Sequence, residues 1–575
     1  MKKRILAMLL AGVLALSLVA CGDKTDDTPK TSDDKPGTSQ PAENEGPNTI
    51  IGDTDVVQSD FDGVKEVIVG ISADIKTWEP WGGFNLARQN EAPLVYQNLT
   101  VDVVDLENNT MQHCFVLAES AEKIGDLTYQ IKIREGIKDS AGHPFTAEDA
   151  IFSFEKCAEV SSLSQVRIIE SMELVDELTF NMNVTHDTVG TFYDVCNAIN
   201  MVTKESYEAS PDGMVAQPVG TGPMILTEYV AGATAVFEKN ENYWNNAANE
   251  SKSVEDGYCT MFDFTNIDKV TYECITDSAT MAIALESGEI DIARAIGTED
   301  VELFKSNDAF KLFSAPDAGL GVAFNVSSES PLENYNLRMA LAYAISAENA
   351  LEAAVDGYGT IAKAWSYPTF VDYQKAWDSR DYFPTDMAKA KDYLAKWEQE
   401  TGKKASDLEL VILLQNEDTT NALALSIQAD VGQLTGNPNT VTISALDRGT
   451  FNTAKKDPTA FDIYVVDSQL VTRSHSGFEW DSLVNQAKNK YNCFFAEDDV
   501  LQEKLMAAIE NKTTSAETVT AFEQYVMDQA YMKNLIYADG YGACASWIGN
   551  TLHATGAKNC LNLGALSYDW ANSGK

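Results

Sequence analysis

The chain has few positive charges for its length. Its 575 residues include 42 Lys and Arg against 87 Asp and Glu, which gives a formal net charge of −45. The acidic residues are spread along the chain rather than collected in one tail. Nucleic acids and anionic lipid headgroups bind positively charged surfaces, so the sequence argues against both classes of partner. We interpret the acidic surface as a source of solubility.

The sequence also lacks the short motifs of common catalytic sites. It contains no His-Glu-x-x-His, no Gly-x-Ser-x-Gly and no Walker-type phosphate loop. With 87 carboxylates, a pair of acids suited to glycoside hydrolysis can always be chosen, so such a pair has no predictive value. The sequence therefore predicts a protein that is not an enzyme.

Histidine is scarce, and its five residues do not cluster along the chain: they are His113, His143, His186, His475 and His553. Close spacing is what marks most metal sites in a sequence. A site assembled from distant residues is the alternative, and His475 would then be the first ligand to expect. We predict neither a bound metal nor another cofactor.

Cysteine gives no indication of a disulfide framework. The cysteines beyond Cys21 are scattered and form no Cys-x-x-Cys pair. A chain of this size builds its own core and does not require disulfides. Cys196 and Cys544 stand in the apolar segments FYDVCNAI and GACASWI, so we expect both to be buried as small hydrophobic residues.

The one long apolar run lies at the N terminus. In MKKRILAMLLAGVLALSLVAC, Lys2, Lys3 and Arg4 precede an uncharged stretch that is shorter than the roughly 20 residues of a spanning helix. The ending Leu-Val-Ala-Cys resembles a bacterial lipobox, in which Cys21 is lipidated after residues 1–20 are removed as a signal peptide. An ordinary signal peptide, in which Cys21 has no role, is the alternative. We predict a lipoprotein held by its acyl chains at the cell surface or the periplasmic side of the cytoplasmic membrane.

Residues 21–63 form a polar segment with almost no aromatic side chains. The segment is rich in Asp, Thr, Ser, Pro, Gly and Asn. Such a composition cannot bury enough apolar surface to offset the entropy lost on ordering. We therefore predict a disordered acidic stalk that holds the folded body away from the membrane. A pro-segment that is removed later is the alternative.

The rest of the chain alternates between predicted strands and helices. Its length favours two or three domains. β-Branched or alternating apolar runs predict strands at 64–71, 127–133, 269–275, 321–326, 408–414, 441–445 and 461–467. Helical spacing predicts helices at 91–100 (running into a loop), after Thr146, and at 336–344, 389–397 and 421–434. Alternation of this kind is typical of α/β domains.

Four ordered blocks of sequence stand out in this body. The first, residues 127–156, reads LTYQIKIREGIKDSAGHPFTAEDAIFSFEK. The others are QPVGTGP at 217–223 with ENYW at 241–244, LESGEID at 285–291, and LRMALAYAI at 337–345 with GYGT at 357–360. In order and spacing they resemble the family 5 extracellular solute-binding proteins, the dipeptide-, oligopeptide- and nickel-binding subunits of ABC importers. The resemblance extends from about residue 64 to the C terminus.

Most residues in these blocks are interpreted as scaffold. Thr146 begins a helix as its N-cap. Gly220 and Gly222 suit a chain that passes close to another backbone and bends sharply. The aromatic rings of Tyr243 and Trp244 are expected to fill a core. These residues identify the family and carry no information about the ligand.

The resemblance implies a three-domain α/β fold of the periplasmic-binding-protein type (type II, similar to cluster C) with an interdomain ligand cleft. Domain I would be discontinuous and comprise residues 64–100, 217–318 and 535–575. Domain II would comprise residues 101–216, and domain III residues 319–534. The ligand would lie between domains I and III and become buried when a hinge closes.

The resemblance also indicates where the amine of a peptide would bind. Peptide-binding members have a Phe-Asp pair, as at 461–462, followed by an Asp that pairs with the α-ammonium. The matching position falls near Val471, where no Asp stands, while Asp467 lies four residues earlier and Arg473 two residues later. Either Asp467 supplies the charge or the amine anchor is absent, and Asp467 then makes local turn hydrogen bonds. We expect Asp467, Ser468 and Arg473 to contact the ligand.

Three tryptophans are further candidate ligand contacts. Trp78 and Trp81 follow the first strand, where the family's ligand loops lie, and the adjacent Gly82 would allow close approach of the backbone. Trp365 lies in the domain III stretch AKAWSYPTF. A tryptophan face can stack on a sugar, an aromatic side chain or a cation. We expect Trp81 and Trp365 to stack on the ligand from opposite lobes; filling of an interdomain core is the alternative.

The sequence therefore predicts a monomeric binding protein that captures a solute and delivers it to an ABC permease in the membrane. An oligopeptide is the first ligand to expect, and an oligosaccharide or a metal chelate is the alternative in the same fold. The rival class is an extracellular hydrolase. A binder would co-purify with an unchanged ligand, whereas a hydrolase would release products.

Overall fold

The structure is a computed structural model that describes residues 56, 61–74, 77–81, 92–105, 110–160, 165–245, 266–368, 370–380, 382–469, 475–485, 492–549 and 563–575. The predicted signal peptide, Cys21 and most of the predicted stalk (21–63) lie outside the described residues. In the described part, no helix is both long enough and apolar enough to cross a membrane.

The described chain alternates strands and helices, as the sequence predicts. The strands are β1 (Glu66–Ile71), β2 (Thr100–Asp105), β3 (Thr110–Phe115), β4 (Ala118–Lys123), β5 (Thr128–Ile133), β6 (Ile169–Asp176), β7 (Thr179–Val184), β8 (Met224–Val230), β9 (Thr234–Lys239), β10 (Lys269–Cys274), β11 (Ile292–Ala293), β12 (Phe310–Phe324), β13 (Gly359–Ile361), β14 (Leu410–Gln415), β15 (Val441–Leu446), β16 (Ile463–Gln469), β17 (Met532–Ala545), β18 (Ile548–Gly549) and β19 (Ser567–Tyr568). The helices are α1 (Ala92–Val95), α2 (Ala147–Val160), α3 (Thr191–Ala198), α4 (Lys204–Ala209), α5 (Ser278–Ser287), α6 (Val301–Lys305), α7 (Tyr335–Ala344), α8 (Ala347–Val355), α9 (Met387–Thr401), α10 (Asp418–Thr435), α11 (Arg448–Ala454), α12 (Ser476–Val484), α13 (Asp499–Ile509) and α14 (Ala516–Asp528).

Eleven of these strands form one mixed sheet. Their order is β15-β14-β16-β12-β17-β11-β1-β10-β9-β8, and β13 pairs with β17 beside this path. We call β12 and β17 the central strands. On one side of them lies the first lobe, formed by β1 and β8–β11 with helices α5 and α6. On the other side lies the second lobe, formed by β13–β16 with helices α7–α14.

The central strands cross from one lobe to the other as an antiparallel pair. The first half of β12, from Phe310, pairs with the end of β17, and the second half pairs with β16 as well as with the beginning of β17. The strand predicted at 321–326 was therefore too short. Pro316 and Gly319 resemble strand breakers in the sequence. The strand tolerates Pro316 because the regular pairing is interrupted by a bulge between this residue and Ala318.

Strand β14 of the second lobe is covered on both faces. Ile412 and Leu414 of β14 belong to a core packed under α7–α10, while Leu413 belongs to a second core with Trp365 on the opposite face. A parallel strand covered on both sides is apolar at nearly every position, which explains the continuous run LVILL. The strands predicted at 408–414, 441–445 and 461–467 all have counterparts in this lobe.

A separate four-stranded sheet, which we call the small sheet, has the order β4-β5-β7-β6 and packs with α2–α4. Helix α2 begins directly after Thr146, as predicted. The backbone N–H and the hydroxyl of Thr146 both donate to the Asp149 carboxylate, at 2.8 and 2.7 Å. The helix predicted at 91–100 is described only over Ala92–Val95, because the chain then extends and Gln97 pairs with Met201.

Several scaffold predictions are confirmed by burial and by close contacts. Cys196 and Cys544 are buried, and so are Tyr243 and Trp244.

The predicted boundaries of domain III, at 318/319 and 534/535, fall inside the central strands β12 and β17. The division into three domains at those positions stays a prediction, since the sheet itself is continuous there.

Candidate functional site

The parallel strands of both lobes point their carboxyl ends toward the same place. In the first lobe β1, β10 and β11 end at Ile71, Cys274 and Ala293, and in the second lobe β14, β15 and β16 end at Gln415, Leu446 and Gln469. The pairing with the central strands shows that both groups run toward the middle of β12 and β17. Ligands of open α/β sheets bind outside the carboxyl ends of the strands. We call the region between these two sets of strand ends the inter-lobe crevice.

Polar contacts join the two lobes beside this crevice. The Thr298 hydroxyl of the first lobe donates to the Asp356 carboxylate of the second at 2.5 Å. Tyr358 packs edge-to-face on Tyr541 of β17, with ring centroids 5.4 Å apart. Burial, together with the nearby Asp539 carboxylate, raises the pKa of Tyr541, so its phenol stays protonated and remains a hydrogen-bond donor.

An aromatic cluster covers the central strands on the side of the second lobe. Phe370 and Tyr537 pack on Tyr367, and the Tyr367 ring lies against Gly319 of β12. A Cβ atom at Gly319 would lie only 1.8 Å from the Tyr367 hydroxyl, so glycine is required for this packing. Gly319 also pairs with Ser468, one of the predicted ligand contacts. The aromatic cluster therefore borders the crevice at the end of β16.

Asp372 holds the beginning of α12, the helix that follows residues 470–474. Its carboxylate accepts the Ser476 backbone N–H at 2.9 Å and the Ser476 hydroxyl at 2.9 Å. A carboxylate at a helix N-terminus is favoured by the helix dipole. The sequence analysis did not identify Asp372 as a site residue, because it lies 104 positions from its partner. Asp372 thus fixes the beginning of α12, the first described helix after the predicted contact Arg473 in the sequence.

This capping carboxylate makes the stability of the protein depend on pH. Burial raises the pKa of Asp372 to about 6, above the ordinary value of about 4. Between these pH values the folded protein binds a proton that the unfolded chain does not, so the stabilisation falls as the pH rises from about 4 to about 6. In Asp372→Asn this titration is absent. The unfolding free energy of wild type, relative to that of the variant, should fall by roughly 3 kcal/mol across the window, as measured by urea titration. A difference in unfolding free energy between wild type and Asp372→Asn that stays constant from pH 4 to pH 7 would contradict this prediction.

Trp365 packs inside the second lobe. Its ring contacts Trp480, Phe494 and Phe522 at centroid distances of 6.2, 5.9 and 6.2 Å, and its indole N–H donates to Glu479 of α12 at 3.1 Å. Only 1% of Trp365 is exposed. In this structure the ring therefore supports α12 from beneath, and stacking of Trp365 on a ligand stays a prediction.

Trp78 and Trp81 are both buried in the core that joins the first lobe to the small sheet. The indole N–H of Trp81 donates to the backbone carbonyl of Asn200 at 2.9 Å, and its ring packs on Tyr207. The ring of Trp78 packs edge-to-face on Phe237. Protein side chains thus cover both rings in this structure, and contact with a ligand stays a prediction.

Two of the remaining predicted site residues, Asp467 and Ser468, lie near the end of β16. Asp467 is exposed and pairs with Leu320 of β12. Ser468 belongs to the same strand. Arg473 and Gly82 lie outside the described residues, as does Cys21. The described structure therefore places Asp467 at the edge of the inter-lobe crevice and leaves its contact with a ligand untested.

An Asp, a His and a Ser meet in the small-sheet region. Asp139 accepts the backbone N–H groups of Ala141 and His143, and the hydroxyls of Thr203 and Ser206 at 2.5 Å each. The Ser206 hydroxyl also lies 2.8 Å from His143 Nδ1. In a catalytic triad the Asp binds the imidazole nitrogen opposite the nucleophile, whereas Asp139 here binds the serine itself. We interpret this group as a clamp that ties the turn before α2 to α4.

No group of three or more His, Cys, Asp or Glu side chains in the described part of the chain is arranged to hold a metal ion. His143 bonds within the clamp around Asp139, and His475 stands directly before α12. The described residues thus offer no ready site for a resident metal.

Comparison with known proteins identifies the family. The model of bacterial extracellular solute-binding proteins, family 5 (middle region), matches residues 116–489, which is more than half of the chain. Heme-binding protein A of Haemophilus influenzae is 24% identical over 361 residues, covering 58% of this chain and 62% of that protein. Glutathione-binding protein GsiB of Pectobacterium atrosepticum is 24% identical over 337 residues, covering 57% and 60%. The matches thus span about three fifths of the length of these relatives.

Solved structures share the fold. The putative peptide binding protein AppA from Clostridium difficile has a TM-score of 0.71 at 19% identity, covering 88% of this chain and 100% of that one. The oligopeptide-binding protein AppA from Bacillus subtilis, in complex with a nonapeptide, has a TM-score of 0.66 at 18% identity, covering 88% and 98%. NikZ from Campylobacter jejuni, in complex with Ni(L-His), has a TM-score of 0.66 at 19% identity, covering 88% and 100%. The predicted α/β binding-protein fold is confirmed, and the chain belongs to the family 5 bacterial extracellular solute-binding proteins.

Proposed function

We propose that this protein captures a solute in the inter-lobe crevice and delivers it to an ABC permease in the membrane. The observation that carries the proposal is the convergence of strand ends from two lobes on one pair of shared strands. A ligand in that position contacts both lobes at once. Family membership supports the same role, since the family consists of extracellular solute-binding proteins.

We propose an oligopeptide as the solute. Asp467 presents a carboxylate at the crevice end of β16, where it can pair with the α-ammonium of a peptide. Among the proteins of similar sequence or fold, one is a glutathione-binding protein and another holds a nonapeptide. A metal chelate is the rival ligand, because a third protein of the same fold holds Ni(L-His). An oligosaccharide is the further alternative.

Closure around the solute would be a bending of the central strands. Among the described strands, β12 and β17 are the pair that passes from one lobe to the other within the sheet, and β12 has its bulge at Pro316, near the middle. A bulge interrupts regular pairing and gives the strand a local bend. We therefore assign the hinge to this bulge, with residues 64–100, 217–318 and 535–575 moving as domain I against domain III.

The protein would work as a monomer tethered through Cys21. The Leu-Val-Ala-Cys ending of the N-terminal apolar run motivates the tether. A diacylated Cys21 at the mature N terminus, found by mass spectrometry, is the expected result. An unmodified Cys21 in the protein isolated from its own membrane would refute the anchor.

The solute is identified by native mass spectrometry of protein purified without denaturation. We expect a bound peptide mass that is released intact. A chelate or an oligosaccharide in its place would replace the peptide proposal but keep the binding function. Steady release of smaller products from an added peptide would overturn the binding role in favour of a hydrolase.

Replacing Asp467 by Asn should weaken the binding of peptides that have a free α-amine. A hydrogen-bonded charge pair contributes about 1.5–3 kcal/mol, so the loss should be roughly 10-fold to 100-fold in Kd. Titration calorimetry with a recovered peptide and its N-acetylated form provides the measurement. The acetylated form should bind wild type and Asp467→Asn equally.

The matched control is Asp407→Asn. Asp407 is also exposed in the second lobe, but it precedes β14 at the end of the sheet away from the crevice. The control should bind the free-amine peptide as wild type does. An equal loss in both variants would show that overall charge, rather than an amine contact, is responsible.

A further inference from the structure

A short loop beside the small sheet contacts the second lobe in the described part of the chain. This loop, residues 187–190, follows β7 and meets residues 509–511, which comprise the last residue of α13 and the two residues after it. The Val189 N–H donates to the Ile509 carbonyl at 2.7 Å, and the Asn511 N–H donates to the Asp187 carbonyl at 3.1 Å. Thr188 and Glu510 form an isolated antiparallel bridge between them. Two segments more than 300 residues apart thus form a single rung of sheet.

The Asn511 side-chain amide reinforces this rung. It donates to the Asp187 carboxylate at 2.6 Å and to the Thr188 carbonyl at 3.4 Å. The same carboxylate accepts the Tyr129 hydroxyl at 2.6 Å and forms an ion pair with Lys123. Burial alone would raise the pKa of Asp187, but the hydrogen bonds from Lys123, Tyr129 and Asn511 hold this pKa below its usual value. Asp187 is therefore a carboxylate that faces the second lobe from the small sheet.

The loop also rests on the beginning of α12. Gly190 has a φ of +72°, and a Cβ atom there would lie 2.7 Å from Nδ1 of His475. A Cβ atom on Gly477 would lie 3.5 Å from the Val189 side chain. His475 directly follows residues 470–474, which contain the predicted ligand contact Arg473. The contact between the small sheet and the second lobe is thus next to the segment at the end of β16.

We propose that residues 187–190 and 509–511 form a latch that holds the small sheet against the second lobe when the crevice is closed. The latch consists of backbone and side-chain hydrogen bonds between two short segments, so these bonds can break while the small sheet and the sheet of the second lobe keep their own strand pairing. The hinge at the central strands and the latch lie in different parts of the chain, and both must move for the crevice to open. The latch proposal rests on the proposed function in one respect, namely that the crevice opens to admit a solute and closes around it.

The test replaces Asn511 by Asp, which sets a carboxylate against Asp187 without changing side-chain size. Hydrogen exchange of the full-length protein, purified without denaturation so that it keeps its bound solute, reports the latch directly. The Val189 and Asn511 amides should exchange roughly 10-fold faster or more, as expected when one charged hydrogen bond becomes a repulsion. X-ray scattering should show a larger radius of gyration. Asn439→Asp adds the same charge to an exposed position of the second lobe and should change neither quantity.

A second substitution distinguishes a latch from local unfolding. In the double variant Asp187→Asn with Asn511→Asp, the amide and the carboxylate exchange places and the bond is restored. Exchange at Val189 should then return toward that of wild type. Wild-type exchange in Asn511→Asp, or no recovery in the double variant, would overturn the latch. If Asn511→Asp does not fold, Asn511→Ala removes the bond without adding charge and is measured in the same way.

Solute capture is followed separately by native mass spectrometry of the wild-type protein. Absence of any bound solute there would count against the proposed function and leave the exchange result standing. Exchange of the Val189 amide at the wild-type rate in an Asn511→Asp protein that carries solute would count against the latch alone.

Discussion

Replacing Gly222 by Ala should unfold the first lobe. A Cβ atom at this position would lie 2.4 Å from the Leu94 carbonyl oxygen and 2.6 Å from the carbonyl carbon of Val95. Both are backbone atoms, which cannot move aside as a flexible side chain can. The Gly222 N–H also donates to the Val95 carbonyl at 2.8 Å, so relief of the clash would break this bond. We expect a loss of more than about 4 kcal/mol in the free energy of unfolding.

Chemical denaturation followed by circular dichroism measures this loss. The control is Gly449→Ala in helix α11, where an added Cβ would lie 3.4 Å from the Asp447 carboxylate, an ordinary contact distance. Alanine favours a helix over glycine by about 1 kcal/mol, so the control should be neutral or slightly stabilised. A Gly222→Ala protein as stable as wild type would show that the two chain segments separate more easily than their contacts indicate.

Replacing Trp365 by Ala should destabilise the second lobe by about 3–5 kcal/mol, the usual cost of removing a large aromatic side chain from a core. The substitution removes contacts with Trp480 and Phe522 and leaves the buried Glu479 without its indole donor. Trp365→Phe keeps most of the packing and loses only the N–H bond, so its cost should be smaller, about 1–2 kcal/mol. Thermal and urea unfolding of both variants provide the measurement.

The same variants decide whether Trp365 stacks on the ligand. Binding is measured on folded Trp365→Phe by calorimetry with the recovered solute. If Trp365 acts only through the core, the affinity of this variant stays close to that of wild type while its stability falls. A marked loss of affinity with unchanged stability would instead place the ring against the ligand, as predicted from its position in the sequence.

Local patterns predicted much of the scaffold. The strand predicted at 408–414 could be recognised from its continuous apolar run at 410–414, because a strand buried on both faces needs apolar side chains at nearly every position. The beginning of α2 could be predicted because a cap is formed by residues three positions apart, Thr146 and Asp149. The requirement for glycine at 220 and 222 was also predicted from the sharp turn that such a motif allows.

The candidate site was less accessible from the sequence. Asp372 and Ser476 are 104 positions apart, and Asp187 and Asn511 are 324 apart, so no spacing rule connects them. The first half of β12 was missed because Pro316 and Gly319 look like breakers, whereas the bulge beside Pro316 and the Tyr367 ring over Gly319 accommodate them. Trp78, Trp81 and Trp365 were predicted near the crevice from their positions in the sequence. Position in the sequence does not show whether protein side chains cover a ring, as they do for these three residues.

The sequence by itself determined the family, the alternation of strands and helices, and the turns and caps, because each of these depends on residues close together in the chain. Only the tertiary structure decided where the parallel strands of two lobes converge and which side chains are buried. It also decided which loops meet across the lobes. These depend on contacts between distant segments, whose pairing is selected by the packing of the whole sheet and leaves no periodic signal in the residues that take part.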